Sequence, residues 1–366
     1  VIADTTHIKK VADAVQSWLQ PDNNSLKQAI DRTVDEKLFS FHDIKHQILH
    51  LKNSLTEENL KKWVEHSGAP LPFSSDKTVL CLHAGNLPLV GLQDLLAVTL
   101  TGLNYRGKLS RKDPWLLPTL IQTLDEQGVP GERNYSTKLQ DFRDQQSDAV
   151  IFAGSEESVT EVIHSLQNYG IADENTPRLM RTAHYSIAYI TDHSERTMKD
   201  LTEAVFRYGG TGCRSVGIVV APFSLNSQKC HFTDYVESFW LKNPQHNNPE
   251  NDLFYRYATN KAVGIEQAWL DNFLIEETDK RPEDRFILHW IKGDEKTLLD
   301  IVNKYSNGLQ SVYTSSGILP QSLFDRTEFE IDELWKAQKP DIWWKPDGVD
   351  TIEWLSKRFN SFGKAS

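Results

Sequence analysis

Cys213 stands in Tyr208-Gly-Gly-Thr-Gly-Cys-Arg-Ser-Val-Gly, directly before the apolar run Ile218-Val-Val-Ala. A thiol among small residues, with a strand-like run after it, is placed as a nucleophile often is. The glycines let a substrate reach the sulfur, and Arg214 beside it favours the thiolate, the reactive form. The same residue also reads as a small buried core thiol, the usual place of a lone cysteine. Cys81, inside Val79-Leu-Cys-Leu-His, reads as core, and Cys230 has no motif around it. Three widely spaced cysteines make no disulfide framework, and a reducing cytoplasm is the simplest compartment.

The elements around these residues alternate. Residues 5–70 read as helices, with Ile8, Val11, Val15, Trp18 and Leu19 at helical spacing and Thr56 as an N-cap before Glu57. Strand patterns follow at 79–83, 105–108 and 149–153. Helical patterns run over 89–102, 114–128 and 156–168, the second ending at Gly128. This order implies a mostly parallel sheet covered by helices, which binds ligands at the carboxyl ends of its strands. The turns there carry Asn86, Lys108 and Ser155, so one cofactor could touch all three. A second alternation has strands at 186–190, 216–221, 286–291 and 310–314. Its helices are expected at 194–207, 232–242, 249–267 and 295–305. From about 323 the chain is rich in tryptophan (Trp335, Trp343, Trp344, Trp354), which reads as packing on the body or on a partner subunit.

Composition narrows the classes. With 366 residues the chain is long enough for two or three domains. A net charge of −11 argues against general nucleic-acid binding, which wants a basic face. No stretch approaches the roughly 18 apolar residues of a membrane span. The chain begins at Val1 without a methionine, which leaves a removed leader open.

Four segments in this order resemble the aldehyde dehydrogenase superfamily. Leu82-His-Ala-Gly-Asn-Leu-Pro-Leu is similar to its strand and Asn-x-Pro turn. Gly107-Lys-Leu-Ser-Arg-Lys-Asp-Pro is similar to its Lys-Pro-Ser-Glu segment, and Phe152-Ala-Gly-Ser-Glu-Glu-Ser to its Phe-Thr-Gly-Ser nucleotide loop. Gly210-Thr-Gly-Cys-Arg-Ser is similar to its nucleophile segment, and Gly128-Val-Pro to a helix end of the family. The resemblance covers roughly 78–315. Ala84-Gly-Asn-Leu-Pro, Lys108-Leu-Ser-Arg-Lys-Asp-Pro and Gly212-Cys-Arg-Ser-Val resemble most the LuxC-like acyl-CoA reductases, the family of the fatty-acid reductase of bacterial luminescence.

The resemblance implies an α/β, aldehyde dehydrogenase-like fold: a Rossmann-type parallel-sheet cofactor domain plus an α/β catalytic domain, with an N-terminal helical segment. The expected boundaries are 1–70 for the helical segment and 71–177 for the dinucleotide-binding domain. The thiol domain is expected over 178–322 and the Trp-rich tail over 323–366. The implied reaction is NADPH-dependent reduction of a fatty acyl-CoA, or an acyl-carrier thioester, to an aldehyde, in a homo-oligomer that needs no metal. Cys213 would form the acyl-enzyme, and Asn86 with the Cys213 N–H would hold the oxyanion. Lys108, Ser110, Gly154 and Ser155 would bind the cofactor. Arg111 takes the place of an acidic residue that favours NAD, so it would welcome a 2′-phosphate and favour NADPH, with NADH still open.

Two departures matter. Aldehyde-oxidising members carry a glutamate base upstream of the cysteine, whereas Arg178-Leu-Met-Arg-Thr-Ala-His-Tyr-Ser has no acidic residue. Without that base, water is not activated to hydrolyse the acyl-enzyme, which argues for reduction. His184 in this stretch reads as structural, or as an acid. The family's Phe-Gly-Pro after a second cofactor-binding glutamate is missing, and Glu283 is the nearest candidate. A semialdehyde or acyl-phosphate dehydrogenase, and a non-catalytic acyl- or partner-binding relative, are the alternatives.

Overall fold

The computed structural model describes residues 5–68, 72, 76–244, 251–270, 273–280, 286–315, 323 and 329–359. Glu283 lies outside the described residues, as does the side chain of Cys230. The chain divides into two units, Val1–Thr182 with Asp341–Ser366, and Ala183–Pro340.

The first unit opens with α1 (Thr5–Trp18), α2 (Asn24–Asp35), α3 (Phe41–Ser54) and α4 (Glu57–His66). Asn23, Ser40 and Thr56 start the last three. Each side chain accepts a first-turn N–H that the helix itself leaves unpaired. Ile8, Val11, Val15 and Trp18 form the buried stripe of α1.

Then come β1 (Thr78–Leu82), α5 (Leu92–Thr101), β2 (Asn104–Lys108), α6 (Leu116–Glu126), β3 (Arg133–Ser136), β4 (Ala149–Ala153), α7 (Val159–Asn168) and β5 (Arg178–Arg181). The strands make one parallel sheet in the order β3-β2-β1-β4-β5. β1 is apolar because both its faces are covered. Val79 and Cys81 join the core of α1, α4, α5 and α6, while Leu80 and Leu82 join that of α7. α5 starts later than the pattern suggests because Leu89 has a φ of 60°, which no right-handed helix accepts.

The second unit contains β6 (Tyr185–Tyr189), α8 (Glu195–Phe206), β7 (Val216–Ala221), α9 (Leu225–Lys242), α10 (Asn251–Val263), β8 (Gln267–Leu270), β9 (Phe273–Glu277), β10 (Ile287–Lys292), α11 (Glu295–Lys304), β11 (Leu309–Thr314) and β12 (Glu330–Glu333). Its sheet has the order β12-β11-β6-β7-β10-β9-β8, and among the described residues only the β8–β9 pair is antiparallel. Alternate residues of β7 serve two cores: Val219 and Ala221 face α8 and α9, while Ile218 and Val220 face α11. α9 begins at Leu225, ahead of the expected Phe232. α10 ends at Val263, short of the expected Gln267, because Gly264 turns left-handed at φ 77°.

The chain then returns to the first unit, ending its described part in α12 (Thr351–Phe359). Trp63 donates to Asp350 at 3.0 Å, and the Gln93 amide donates to the carbonyls of Ile342 and Trp344 at 2.8 Å. Trp343 meets His66 edge-on. Trp335 belongs to the second unit and is exposed. Among the described residues no helix is long and apolar enough to cross a membrane.

Candidate active site

The strand order of the first unit reverses between β1 and β4, where an open parallel sheet forms its crevice at the carboxyl ends of the strands. The turn after β1 carries Asn86; the turn after β4 carries Gly154 and Ser155. On the other side of β1, Lys108 of β2 pairs in register with Leu82, as does Phe152 of β4. Asn86, Lys108, Gly154 and Ser155 therefore leave three adjacent strands at one end of the sheet.

Their surroundings differ. Lys108 is half-buried, and burial, followed by the nearby Arg111, lowers its pKa from the ordinary lysine value. It is a cation short of counter-charge. Arg111 and Lys112 are exposed. Ser110 is engaged in packing: a Cβ added at Gly85 would lie 2.1 Å from its Oγ, and that Oγ accepts the Lys112 N–H at 3.2 Å. The space beside Gly154 is filled by the Phe152 ring, 2.4 Å from where a Cβ would stand. Ser155 is exposed. Its hydroxyl meets that of Ser158 at 3.4 Å and caps no helix. Glu156 and Glu157 follow, both exposed. Positive charge thus gathers at the end of β2 and negative charge after β4. By charge, the phosphate-bearing part of a dinucleotide fits the first of these and hydroxyl groups fit the second.

A buried polar chain lies behind the Asn86 turn, and sequence reading missed it. The His83 ring nitrogen Nε2 is 2.7 Å from the Tyr105 hydroxyl, and Nδ1 is 4.0 Å from Asp94. Asp94 accepts from Arg181 at 2.6 Å, and Arg181 donates to Thr351 at 2.6 Å. Burial brings the His83 pKa down to about 4; Asp94 opposes this, and Arg181 and Lys108 add to it. The imidazole is neutral at pH 7, and it fills the space over Gly91, 2.5 Å from a Cβ placed there. Nothing local in the sequence signals these contacts, because the partners lie far apart along the chain. Asp113 is also buried, and its carboxylate accepts the Leu89 N–H at 2.7 Å. Burial pushes its pKa up to about 7, against hydrogen bonds from the Leu89 and Leu116 amides.

Cys213 lies in the second unit. Three consecutive left-handed residues, Tyr208, Gly209 and Gly210, lead into it. Gly210 is required there: besides its φ of 69°, a Cβ would lie 2.9 Å from the Val205 carbonyl oxygen. A tight turn then closes from the Ser215 N–H to the Gly212 carbonyl at 2.9 Å, with Cys213 and Arg214 at its corners. The Ser215 hydroxyl accepts the Gly212 N–H at 3.2 Å, and the Ser186 hydroxyl donates to the Cys213 carbonyl at 3.0 Å. Gln338, buried, donates to the Ala204 carbonyl at 3.0 Å and to Ser215 at 3.4 Å. Cys213 is only half-buried, whereas Cys81 is buried inside β1, where loss of solvent raises its thiol pKa well above the ordinary value. Tyr313 is buried close by. Burial raises its phenol pKa, Arg214 opposes the rise and Cys213 adds to it. His184 is exposed at the start of β6, edge-on to Tyr185, with its N–H bonded to the Gly308 carbonyl.

No protein-family model matches the sequence, and a search of curated proteins finds no match. Solved structures do match. Aldehyde dehydrogenase 21 from Physcomitrella patens, in complex with the reaction product succinate, aligns with a TM-score of 0.64 at 12% identity, over 97% of this chain and 84% of that one. The bifunctional proline utilization A protein aligns with a TM-score of 0.63 at 13% identity over 90% of this chain, which spans 38% of that protein's length. A protein assigned as a methylmalonate-semialdehyde dehydrogenase from Sinorhizobium meliloti, complexed with NAD, aligns with a TM-score of 0.57 at 13% identity, over 85% of this chain and 72% of that one. At such identities the likeness speaks for the fold. The chain has an α/β, aldehyde dehydrogenase-like fold, with a Rossmann-type parallel sheet in one unit and a mixed sheet in the other.

Proposed function

We propose that this chain reduces an activated acyl thioester, foremost a fatty acyl-CoA, to the aldehyde with NADPH as electron donor. The observation that carries the reading is Cys213. Its backbone is held by Ser186 and by the Gly212–Ser215 turn, while the residue is only half-buried beside Arg214. The Cys213 thiolate would attack the thioester carbonyl. A new C–S bond forms, the bond to the CoA sulfur breaks, and CoA leaves with a proton as its thiol. By the resemblance, Asn86 would donate to the oxyanion, a donor worth on the order of 3 kcal/mol in such reactions. A nicotinamide, when bound, would supply a hydride; with one proton, the acyl–Cys213 bond would then break to give the aldehyde and the free Cys213 thiol. Lys108 and Arg111, with Lys112 beside them, would hold its phosphate-bearing end. Arg178–Ser186 contains no carboxylate to activate water, which favours reduction over release of a free acid.

A semialdehyde or acyl-phosphate dehydrogenase using the same cysteine is the second reading. The names of the structures that share the fold support it as much. The test is single-turnover loss of NADPH absorbance with a medium-chain acyl-CoA, beside a Cys213→Ala control and a parallel run with NAD and a semialdehyde. Acyl-dependent loss that vanishes in Cys213→Ala is the expected result. Activity only in the parallel run moves the assignment to the second reading, and silence in both leaves an acyl-binding protein without catalysis.

A further inference from the structure

We propose that the Ser110–Asp113 turn is a clamp that positions Asn86, with Asp113 as its positioning residue. The proposal rests on the reading of Asn86 as the oxyanion donor.

The turn from Ala84 to Gly91 lies between β1 and α5. Within it, Leu89 is buried and left-handed at φ 60°, a conformation that bulky residues rarely adopt. Something must hold it. The Leu89 N–H donates to the Asp113 carboxylate at 2.7 Å, while the Leu89 carbonyl accepts the Leu92 N–H at 3.0 Å and so starts α5. On the near side of Asn86, Gly85 packs against the Ser110 side chain so closely that no Cβ fits: its position would be 2.5 Å from the Ser110 Cβ. The Asp113 N–H returns to the Ser110 carbonyl at 3.2 Å, which closes the turn. Both flanks of Asn86 are therefore gripped by the two ends of one short turn.

The chemistry of Asp113 supports a purpose beyond folding. It is 6% exposed, and among the described residues no cation pairs with it. On its own turn, Arg111 and Lys112 are exposed. In the facing turn the titratable side chain is His83, held by Tyr105. The first turn of α5 carries Asp94, which is paired with Arg181, and the first turn of α6 carries no acidic residue. A buried carboxylate without a counter-ion is costly, and such local conflicts concentrate where function needs them.

The test uses the full chain with Asp113→Ala, Asp113→Asn, Asn86→Ala and the Asp113→Ala/Asn86→Ala double variant. Loss of a positioned oxyanion donor predicts that Asp113→Ala lowers kcat about tenfold or more, with the acyl-thioester KM changed by less than about twofold. Asp113→Asn keeps an oxygen for the Leu89 N–H and should stay within about threefold of wild type. On the Asn86→Ala background, Asp113→Ala should add less than about a further twofold, because the two act as one unit. Wild-type kcat in Asp113→Ala, or an equal loss on both backgrounds, overturns the proposal. Hydrogen exchange of the Leu89 amide gives a readout that needs no activity. It should accelerate about tenfold or more in Asp113→Ala while α7 amides stay unchanged, and an unchanged Leu89 amide overturns the clamp. If wild type turns over no acyl thioester, the functional reading fails and the exchange result alone decides the clamp. Should Asp113→Ala not fold, Asp113→Leu, of similar size but with no acceptor, takes its place in every arm.

Discussion

The Ser186 hydroxyl donates to the Cys213 carbonyl at 3.0 Å, so β6 is tied by a side chain to the turn that carries the thiol. Ser186 is fully buried, and its own N–H pairs with the Ser215 carbonyl at 3.0 Å. Ser186→Ala removes one hydrogen bond and leaves the turn closed by Ser215. A net loss of about 1 kcal/mol is expected, read as a Tm lower by about 2–4 °C and a rate of acyl transfer lower by about fivefold. Melting curves and single-turnover traces check both figures. An unchanged rate would mean that the Gly212–Ser215 turn suffices to place the sulfur.

Arg111 is exposed, so replacing it tests the cofactor without disturbing the core. Arg111→Glu should raise the KM for NADPH by about tenfold or more, since a charge-assisted contact becomes a repulsion. The KM for NADH should change little or fall, because a carboxylate can bind the ribose hydroxyls instead. Parallel titrations of the two nucleotides measure the switch: equal KM rises for both would move Arg111 from the 2′-phosphate to a part the two nucleotides share, and no change in either would remove it from the cofactor site.

The central strands were legible in the sequence for a physical reason. β1, β4 and β7 are covered on both faces and so read as unbroken apolar runs. β3, β5, β8 and β12 went unseen. Each is an outermost strand of only four residues, too short to show a strand pattern, and β3 (Arg133-Asn-Tyr-Ser) and β12 (Glu330-Ile-Asp-Glu) are largely polar besides. β9 was hidden by Glu276, whose charge argues against a buried strand until Arg256 is placed on it. The candidate turns were legible because they adjoin those central strands. The packing of Ser110 on Gly85 and the His83–Asp94–Arg181 chain were not, since both are set by neighbours distant in sequence.

Glu276 is 2% exposed on β9 and accepts from Arg256 at 2.6 and 3.0 Å and from Asn260 at 2.5 Å. Burial alone would raise its pKa. The hydrogen bonds of Arg256 and Asn260 outweigh it and hold the carboxyl below 4.5. Because the folded value is depressed, the stabilisation is present above pH 4.5 and lost as the pH falls through the folded value. Arg256→Ala strands the carboxylate, so a loss of about 3–5 kcal/mol is expected at pH 7. The deficit should shrink in more acidic solution, where the carboxyl is protonated. Urea titrations at neutral and acidic pH give the comparison, and a deficit independent of pH would assign the loss to packing of α10 instead.

Asp113 reverses that sign. Burial lifts its pKa from 3.8 to about 7. The folded protein binds this proton more tightly than the unfolded chain does. The favourable contribution is therefore complete below pH 3.8 and is lost as the pH rises through about 7. Asp113→Asn carries no titrating proton. Relative to wild type it should gain stability steadily between these limits, reaching on the order of 4 kcal/mol in alkaline solution. Unfolding free energies of the two proteins, measured across this range, should diverge with pH; parallel curves would show that Asp113 ionises as readily in the fold as out of it. A variant that is more stable at alkaline pH and as active as wild type would show that the contact with the Leu89 N–H needs an acceptor oxygen and no ionisable group.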